Sequence, residues 1–179
     1  WSWGANGVVD SVRHRHLLAG TYYLRISRNF YTFGSYQLKN IFVATDYTPD
    51  TEPNDNYNAA LNFTLNSTVN GHIGYFGTQA TDEYDWYKFT LPADGDITFV
   101  CTPSSSLDAG MEIYDTNGTS GINEKWSWGA NGVVDSVRHR HLLAGTYYLR
   151  VSRNFYTFGS YQLKNIFVAT DYTSDTEPN

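Results

Sequence analysis

Short stretches of alternating apolar and polar residues, separated by turn residues, run through positions 60–168. In the clearest of them, Tyr84–Leu91, the even-numbered side chains share one face and the other face carries Asp85, Tyr87, Phe89 and Leu91. A period of two residues is typical of a β-strand that is buried on one side. The sequence therefore predicts a strand here with one face directed at a core.

Similar segments recur along the chain, and no helical stripe of useful length interrupts them. The turn at Pro92–Gly95 has a physical basis, because proline presets φ and glycine accepts a positive φ. The predicted strands are 60–64, 69–75, 84–91, 96–101, 111–114, 125–128, 133–142, 146–152 and 160–168. Many short strands with regular turn signals predict an all-β fold, an antiparallel, jelly-roll-like β-sandwich.

A long internal repeat sets the domain organisation. Residues 1–54 recur as residues 126–179 with two differences, Ile26 to Val151 and Pro49 to Ser174, so the repeat length is 125 residues (126 − 1). That length is typical of a whole domain and too long for a solenoid unit. The repeat predicts four parts: 1–47 is the C-terminal half of one sandwich, 48–55 a junction, 50–172 one complete sandwich, and 173–179 the start of the next junction.

Composition limits the kinds of partner that the protein is expected to bind and indicates the compartment in which it functions. The net charge of −6 and pI near 5.2 argue against a nucleic-acid partner, which requires a basic face. No apolar run is long enough to span a membrane. The single cysteine, Cys101, lies in an apolar strand, which indicates a buried inert thiol and excludes an intrachain disulfide. We expect an extracellular protein that is stabilised by metal ions instead of disulfides.

Two acidic clusters are the candidates for such an ion. The first, Asp50–Asp55, spans the junction between repeats, and the second, Asp82–Asp85, precedes the strand 84–91. Calcium binds six to eight hard oxygens, which carboxylates, amides and backbone carbonyls supply. The sequence therefore predicts that the clusters converge on calcium; the alternative is a solvated acidic linker with a capped turn. No nucleophile, phosphate loop or pair of catalytic carboxylates is indicated, so we expect no enzyme activity.

The order of motifs along one repeat resembles a known family. The matching segments are Glu52–Asp55, Asp82 and Asp85, Trp86–Leu91, Pro92–Gly95, Met111–Asp115, Gly145–Val151 and Gly159–Leu163. Together they resemble the bacterial pre-peptidase C-terminal domain family and, within it, the collagen-binding modules of clostridial collagenases. The family consists of β-sandwiches found beside secreted hydrolases and in extracellular repeat proteins.

The resemblance also implies a calcium site at the junction. By position, it implies the ligands Asp50, Glu52, Asn54, Asp55, Asp82 and Asp85. The chain departs from the family pattern at two places: an aspartate replaces a glutamate at position 50, and Gly77 stands where a hydroxyl residue is expected. The first departure shortens one ligand arm, and the second leaves at most a backbone carbonyl.

Two further sets of residues are candidates for surface roles. The segment between the last two predicted strands is rich in aromatic residues in both copies and predicts either a contact patch or a small core over one end of the sandwich. The residues are Phe30, Tyr31, Phe33, Phe155, Tyr156 and Phe158. Asn62, Asn66 and Asn117 begin N-glycosylation triplets, which also arise by chance in a chain rich in Asn and Thr.

These observations leave three functions open. The first is a non-catalytic extracellular stalk, adhesin or filament with calcium-stiffened junctions, because near-identical tandem domains suit a protein whose reach depends on copy number. The second is a module that holds a secreted hydrolase on collagen, polysaccharide or cell wall. The third is a polymer of chains, since either copy of the repeated half is able to complete residues 50–125 by strand complementation. The expected partners are neighbouring copies of the repeat or an extracellular surface.

Overall fold

The computed structural model describes residues 7–28, 30–44, 50–76, 82–125 and 130–170. The junction residues 48–49, the predicted strand beyond Lys125, and residues 173–179 therefore lie outside the described residues. The described residues form nine strands: β1 (Leu61–Asn62), β2 (Thr68–Ile73), β3 (Tyr84–Leu91), β4 (Gly95–Pro103), β5 (Ala109–Tyr114), β6 (Gly121–Lys125), β7 (Asp135–Leu142), β8 (Gly145–Arg153) and β9 (Gly159–Ala169). A single 3₁₀ turn, Tyr57–Ala59, precedes β1.

The strands build two packed sheets, so the predicted all-β sandwich is confirmed. One sheet has the order β1-β3-β8-β5-β6, and the other has the order β2-β9-β4-β7. Their pairings are antiparallel apart from β1 with β3, which is parallel. No helix in the described part of the chain is long and apolar enough to cross a membrane.

The core lies between the sheets and is filled from the strand faces that the alternation predicts. Tyr87, Phe89 and Leu91 of β3 are all buried, and Phe99 of β4 meets Phe89 edge to face with 4.9 Å between the ring centroids. Leu149 of β8 is fully buried among them. Burial of these large side chains away from water is the main favourable contribution to folding.

Strand β6 begins earlier than predicted. The carboxylate of Asp115 accepts hydrogen bonds from the backbone N–H groups of Asn117, Thr119 and Ser120, which completes the turn by Ser120. The chain therefore enters β6 at Gly121 instead of near Lys125. These hydrogen bonds, from Thr119 first, hold the pKa of Asp115 below its ordinary value.

The register of β9 defines two opposite ends of the sandwich. At its start, Gly159 and Ser160 pair with Ile73 and His72 of β2. At its finish, Ala169 pairs with Gly95 of β4. We call the first the junction end, because the acidic junction lies there, and the second the exit end, because β9 leaves the sandwich there.

The first copy of the repeated half differs in structure from the second. In residues 7–28 and 30–44 the structure has no strand and one isolated bridge, between Leu17 and Phe76. The assignment of this segment to half of a sandwich stays a prediction.

Substitution of Phe99 tests the placement of the core. Phe99→Ala leaves a cavity between the sheets, so we expect the free energy of unfolding in urea to fall by about 3–5 kcal/mol. Val168→Ala removes a side chain that is 58% exposed on the neighbouring strand β9, and its effect should stay within about 0.5 kcal/mol. Equal effects of the two substitutions would contradict this core.

Candidate metal site at the junction

The junction is attached to the sandwich beside β2 and β3. The backbone N–H of His72 donates to one carboxylate oxygen of Asp50 at 3.0 Å, and the Nδ1 atom of the same histidine contacts the other oxygen. The carbonyl of Asn54 accepts a hydrogen bond from the backbone N–H of Trp86 at 2.9 Å. Residues 50–54 therefore run against the start of β3 instead of extending freely into solvent.

Asp82 reaches the site from the segment before β3. Its backbone N–H donates to the carbonyl of Tyr75 at 2.9 Å, and its carbonyl accepts from Gly74 at 2.8 Å. Gly74 has φ +84°, and a Cβ there would lie 2.7 Å from the carbonyl oxygen of Thr157, so only glycine fits this close approach. Asp85 is already inside β3, at a position that faces the core.

These elements bring the acidic side chains into two groups that share Glu52. In one group, ligand atoms of Glu52, Asp82 and Asp85 all lie within 4.8 Å of one another. In the other, the same holds for Asp50, Glu52 and His72. We call the first the carboxylate trio and the second the histidine group. Acidic side chains of the described residues that are far apart in the sequence are thus able to hold a metal ion.

Several carboxylate oxygens of the trio are buried without a hydrogen-bond donor. Both side-chain oxygens of Asp82 and the Oδ1 atom of Asp85 have no hydrogen-bond partner among the described residues. The Oδ2 atom of Asp85 accepts a hydrogen bond from the Tyr161 hydroxyl, which lies 2.8 Å from the Tyr87 hydroxyl. A buried carboxylate without a compensating partner is strongly destabilising.

The electrostatics of the trio favour the addition of positive charge. Burial, followed by repulsion from Asp85 and then Glu52, raises the pKa of Asp82 to about 10. Burial and then the charge of Asp50 raise the pKa of Asp85 well above its ordinary value. Burial, followed by the charge of Asp50, also raises the pKa of Glu52. Protons or a cation therefore have to neutralise this end of the sandwich at neutral pH.

The donor atoms of the trio fit a hard cation. Three carboxylates offer up to six oxygens, and calcium is bound by such oxygens in flexible geometries. A histidine nitrogen instead suits transition metals, but the Nδ1 atom of His72 already contacts Asp50. The carboxylate trio is therefore the better candidate for a calcium-like ion than the histidine group.

The two groups contain four of the six predicted ligands. Glu52 on the junction meets Asp82 and Asp85 on the sandwich, Asp50 lies with Glu52 and His72 in the histidine group, and Asp55 is exposed and belongs to neither group. The side chain of Asn54 is fully buried next to them.

Sequence reasoning missed His72. It lies 22 positions beyond Asp50, and no motif in the sequence links the two residues. Its role arises only because β2 ends beside the junction.

The aromatic segment between β8 and β9 lies at the junction end and is divided in its exposure. Phe155 and Tyr156 are 75% and 93% exposed, whereas Phe158 is half-buried and packs edge to face on Tyr75. The corresponding residues of the first copy, Phe30, Tyr31 and Phe33, are exposed. The tip therefore offers a surface while its base covers the sandwich, and the contact patch stays a prediction.

The three predicted glycosylation residues are all exposed. Asn62 lies on β1, and Asn117 lies in the turn that the Asp115 carboxylate closes. Asn66 is held more firmly, because its Oδ1 atom accepts a hydrogen bond from the Phe167 backbone at 2.8 Å. Modification at these positions stays a prediction.

Comparison with solved structures finds several chains to which this protein is similar. It is similar in structure to the pre-peptidase C-terminal domain of a collagenase from Bacillus anthracis, with 18% identity over 65% of this chain and 99% of that one and a TM-score of 0.46. It is also similar to the K3 adhesin domain of Lys-gingipain from Porphyromonas gingivalis (15% identity, 57% and 74% coverage, TM-score 0.38). A carbohydrate-binding module of a Cellvibrio mixtus lichenase, in complex with cellotriose, is a third (14% identity, 59% and 88% coverage, TM-score 0.31).

The sequence itself matches no protein-family model and no curated protein. A pre-peptidase C-terminal domain, the kind of domain that the sequence resembles, is nevertheless among the structures to which this chain is similar.

Neutralisation of Asp82 tests the electrostatics of the site. Because the folded metal-free chain raises this pKa from 3.8 to about 10, it retains a proton that the unfolded chain releases above pH 4. The folded chain therefore has its full stability below about pH 4, and its free energy of unfolding falls as the pH rises toward 10. In EDTA at pH 7 we expect Asp82→Asn to raise the melting temperature by about 5 °C or more, with no gain at pH 4.

The control is Glu83→Gln, which removes the same charge from the adjacent, exposed side chain. It should leave the melting temperature in EDTA nearly unchanged. A lower melting temperature for Asp82→Asn at pH 7 would contradict the account of buried, uncompensated charge.

Proposed function

We propose that this chain is a non-catalytic extracellular β-sandwich module, repeated in tandem in a stalk, adhesin or filament, and that calcium at the junction stiffens the link between repeats. The observation that carries the proposal is the pair of buried Asp82 oxygens without hydrogen-bond donors, beside Glu52 and Asp85. A bound cation supplies the positive charge and the missing partners together.

The position of the candidate ligands supports a mechanical role. Glu52 belongs to the junction, whereas Asp82 and Asp85 belong to the sandwich. An ion held by all three ties the junction to the sandwich and restricts the angle between them. Since Asp50 is already fixed on His72, the ion closes a second attachment within two residues of the first.

The neighbouring titratable groups also suit structure more than catalysis. His72 contacts Asp50, and the Tyr161 hydroxyl donates to Asp85 inside the core. Burial raises the pKa of Tyr161 well above its ordinary value, so it keeps its proton. Both groups thus serve as fixed partners of carboxylates.

Calcium should stabilise the folded chain by mass action. At a free calcium concentration about 100 times the dissociation constant, binding to the folded state alone adds about 2.7 kcal/mol to the free energy of unfolding. We expect EDTA to lower the melting temperature accordingly and excess calcium to restore it, as followed by thermal unfolding.

The controls are Asp82→Asn, which should abolish the response to calcium, and Glu83→Gln, which should keep it. An unchanged melting temperature of the unsubstituted chain in excess calcium would refute the proposal.

A cluster of aromatic side chains on the outer face of the β1-β3-β8-β5-β6 sheet, in which Tyr84 is exposed and Trp86 and Tyr114 are buried, favours a second function, binding to an extracellular polysaccharide or protein. The Arg150 guanidinium carbon lies 5.0 Å from the ring centroid of Tyr84, 5.9 Å from that of Trp86 and 5.2 Å from that of Tyr114. Arg150 also forms an ion pair with Glu112 at 2.5 Å. This network holds the rings rigid, and rigid aromatic groups with polar atoms are favoured at binding surfaces.

Tyr84 is the exposed member of this surface and tests the second function. We expect Tyr84→Ala to weaken binding to insoluble polysaccharide or collagen by about tenfold, because anchor side chains contribute more than about 1 kcal/mol each. Tyr23→Ala, at a 94% exposed tyrosine of the first copy, is the control and should leave binding unchanged. Equal binding by the two variants would exclude this surface.

A further inference from the structure

One turn of the first copy is hydrogen-bonded to the sandwich. The backbone N–H of Leu18 donates to the carbonyl of Phe76 at 3.0 Å, and the N–H of Phe76 donates to the carbonyl of His16 at 2.7 Å. These bonds form a parallel bridge that pairs Leu17 with Phe76. The Tyr22 hydroxyl donates to the same Phe76 carbonyl at 3.3 Å. Backbone hydrogen bonds of the kind found between strands therefore connect the first copy to the sandwich.

The bonded turn is the counterpart of the turn that connects β7 to β8. We call residues 16–22 the first corner and residues 141–147 the second corner. In the first corner the Tyr22 hydroxyl donates to the carbonyl four residues before it at 2.8 Å, and in the second corner the Tyr147 hydroxyl does the same at 3.1 Å. The histidines that open the two corners have φ angles of 61° and 57°. The corner therefore has the same local structure in both copies.

The two corners differ in exposure where the first one meets the sandwich. Leu143 of the second corner is 66% exposed, whereas its counterpart Leu18 is half-buried. His141 is exposed, whereas its counterpart His16 is half-buried. Because the local sequence and turn are the same, the contact with the sandwich accounts for this difference.

The surface that receives the first corner is aromatic. The His14 ring lies against Phe76 with 5.0 Å between the centroids, and the His16 ring stacks on Phe158 and meets Tyr75 edge to face. Burial lowers the pKa of His16 to about 4, so its ring is uncharged at neutral pH. A neutral imidazole is suited to this apolar surface because its burial requires no charge to leave water.

The second corner lies at the exit end, beside the point where the chain leaves the sandwich. Asp94 accepts a hydrogen bond from the N–H of Ala144 at 2.6 Å through its carboxylate, and one from the N–H of Thr170 at 3.0 Å through its carbonyl. Phe76 lies at the opposite, junction end, three residues beyond the end of β2. The bonded pair of corner and Phe76 thus combines an exit-end element with a junction-end element.

The connection between the copies has a suitable length for such a contact. Ala44 corresponds to Ala169 at the exit end, and Asp50 is bound to His72 at the junction end. The six residue steps from Ala44 to Asp50 span at most about 22 Å. In a tandem array, a connection this short keeps the exit end of one sandwich beside the junction end of the next.

We propose that the β7–β8 corner is a docking surface by which each sandwich binds the junction end of the sandwich that follows it in the chain. The first corner, on Tyr75, Phe76 and Phe158, makes this contact within the present chain. The inference rests on the tandem arrangement of the proposed function, but it is independent of calcium, because these contacts involve no carboxylate. The Tyr75 carbonyl also accepts from the Asp82 N–H, so the docked corner lies next to the segment that carries Asp82.

Hydrogen exchange at Phe76 tests the docking in the full chain. Leu18→Asp places a charge in the half-buried contact, so we expect the Phe76 N–H, which donates to the first corner, to exchange at least about tenfold faster with solvent. The measurement is made by NMR in EDTA, with the N–H of Leu149 in the core strand β8 as the reference for an intact sandwich.

The control is Leu143→Asp, the same substitution in the exposed second corner, which should leave exchange at Phe76 unchanged. Equal acceleration by the two variants would overturn the proposal. So would a Phe76 N–H that exchanges as fast in the unsubstituted chain as in Leu18→Asp.

A disulfide tests the pairing directly. Leu17 and Phe76 are partners in the bridge. Neighbouring strands lie about 4.8 Å apart, within the Cα separations that disulfides span. Leu17→Cys with Phe76→Cys should therefore form an intrachain link on mild oxidation, as detected by mass spectrometry of the digested monomer. Leu143→Cys with Phe76→Cys, at opposite ends of the sandwich, should form none. Absence of the 17–76 link, or equal linking of both pairs, would contradict the docking.

The response to calcium separates this inference from the calcium junction. Leu18→Asp should keep the rise in melting temperature that calcium produces. A protected Phe76 N–H in a chain that does not respond to calcium would support the docking and refute the calcium junction alone. Rapid exchange at Phe76 in an unsubstituted chain that does respond would refute the docking alone.

Discussion

Buried negative charge at one end of the sandwich is the constraint on which the junction depends. Asp85 occupies a core-facing position of β3, and the Tyr161 hydroxyl satisfies one of its oxygens. The other Asp85 oxygen and both oxygens of Asp82 have no hydrogen-bond donor in the described part of the chain. Exclusion of water stabilises the rest of the core, but it also makes the burial of these charges destabilising to the folded state. We propose that a cation removes that conflict, so that metal binding and folding are coupled.

The register of β9 shows that the buried charge lies at the end of the sandwich opposite to the one where β9 finishes. Because β9 starts at the junction end and finishes at the exit end, the polypeptide enters and leaves the sandwich at opposite ends. We propose that a cation that fixes the entering junction sets the geometry between one sandwich and the next. The exposed tip of the β8–β9 hairpin, with Phe155 and Tyr156, lies at this same end.

Much of the fold follows from local pattern. The alternation in Tyr84–Leu91 and the glycines that open β8 and β9 predict strands that the structure contains, because burial of one strand face imposes a period of two. The start of β6 was predicted four residues too late, since the turn held by the Asp115 carboxylate ends at Ser120 and Gly121 already pairs with Tyr114 of β5, which composition alone does not reveal. The parallel pairing of β1 with β3 depends on tertiary contacts and has no local signal.

The candidate site is predictable only in part for the same reason. Clustered carboxylates at positions 50–55 and 82–85 are visible in the sequence, and the structure brings four of them into two groups that share Glu52. The contact of Asp50 with His72, and the exclusion of Asp55 from both groups, depend on how β2 ends beside the junction. Burial of Asp82 likewise requires the close approach at Gly74, which only the folded chain shows.

A crystal structure of the chain grown with calcium would show whether an ion binds at the junction. We expect one anomalous-scattering peak at the junction end, with oxygens of Glu52, Asp82 and Asp85 at about 2.3–2.6 Å from the ion. A structure at saturating calcium with no peak between these three carboxylates, or with the ion bound to His72 instead, would contradict it.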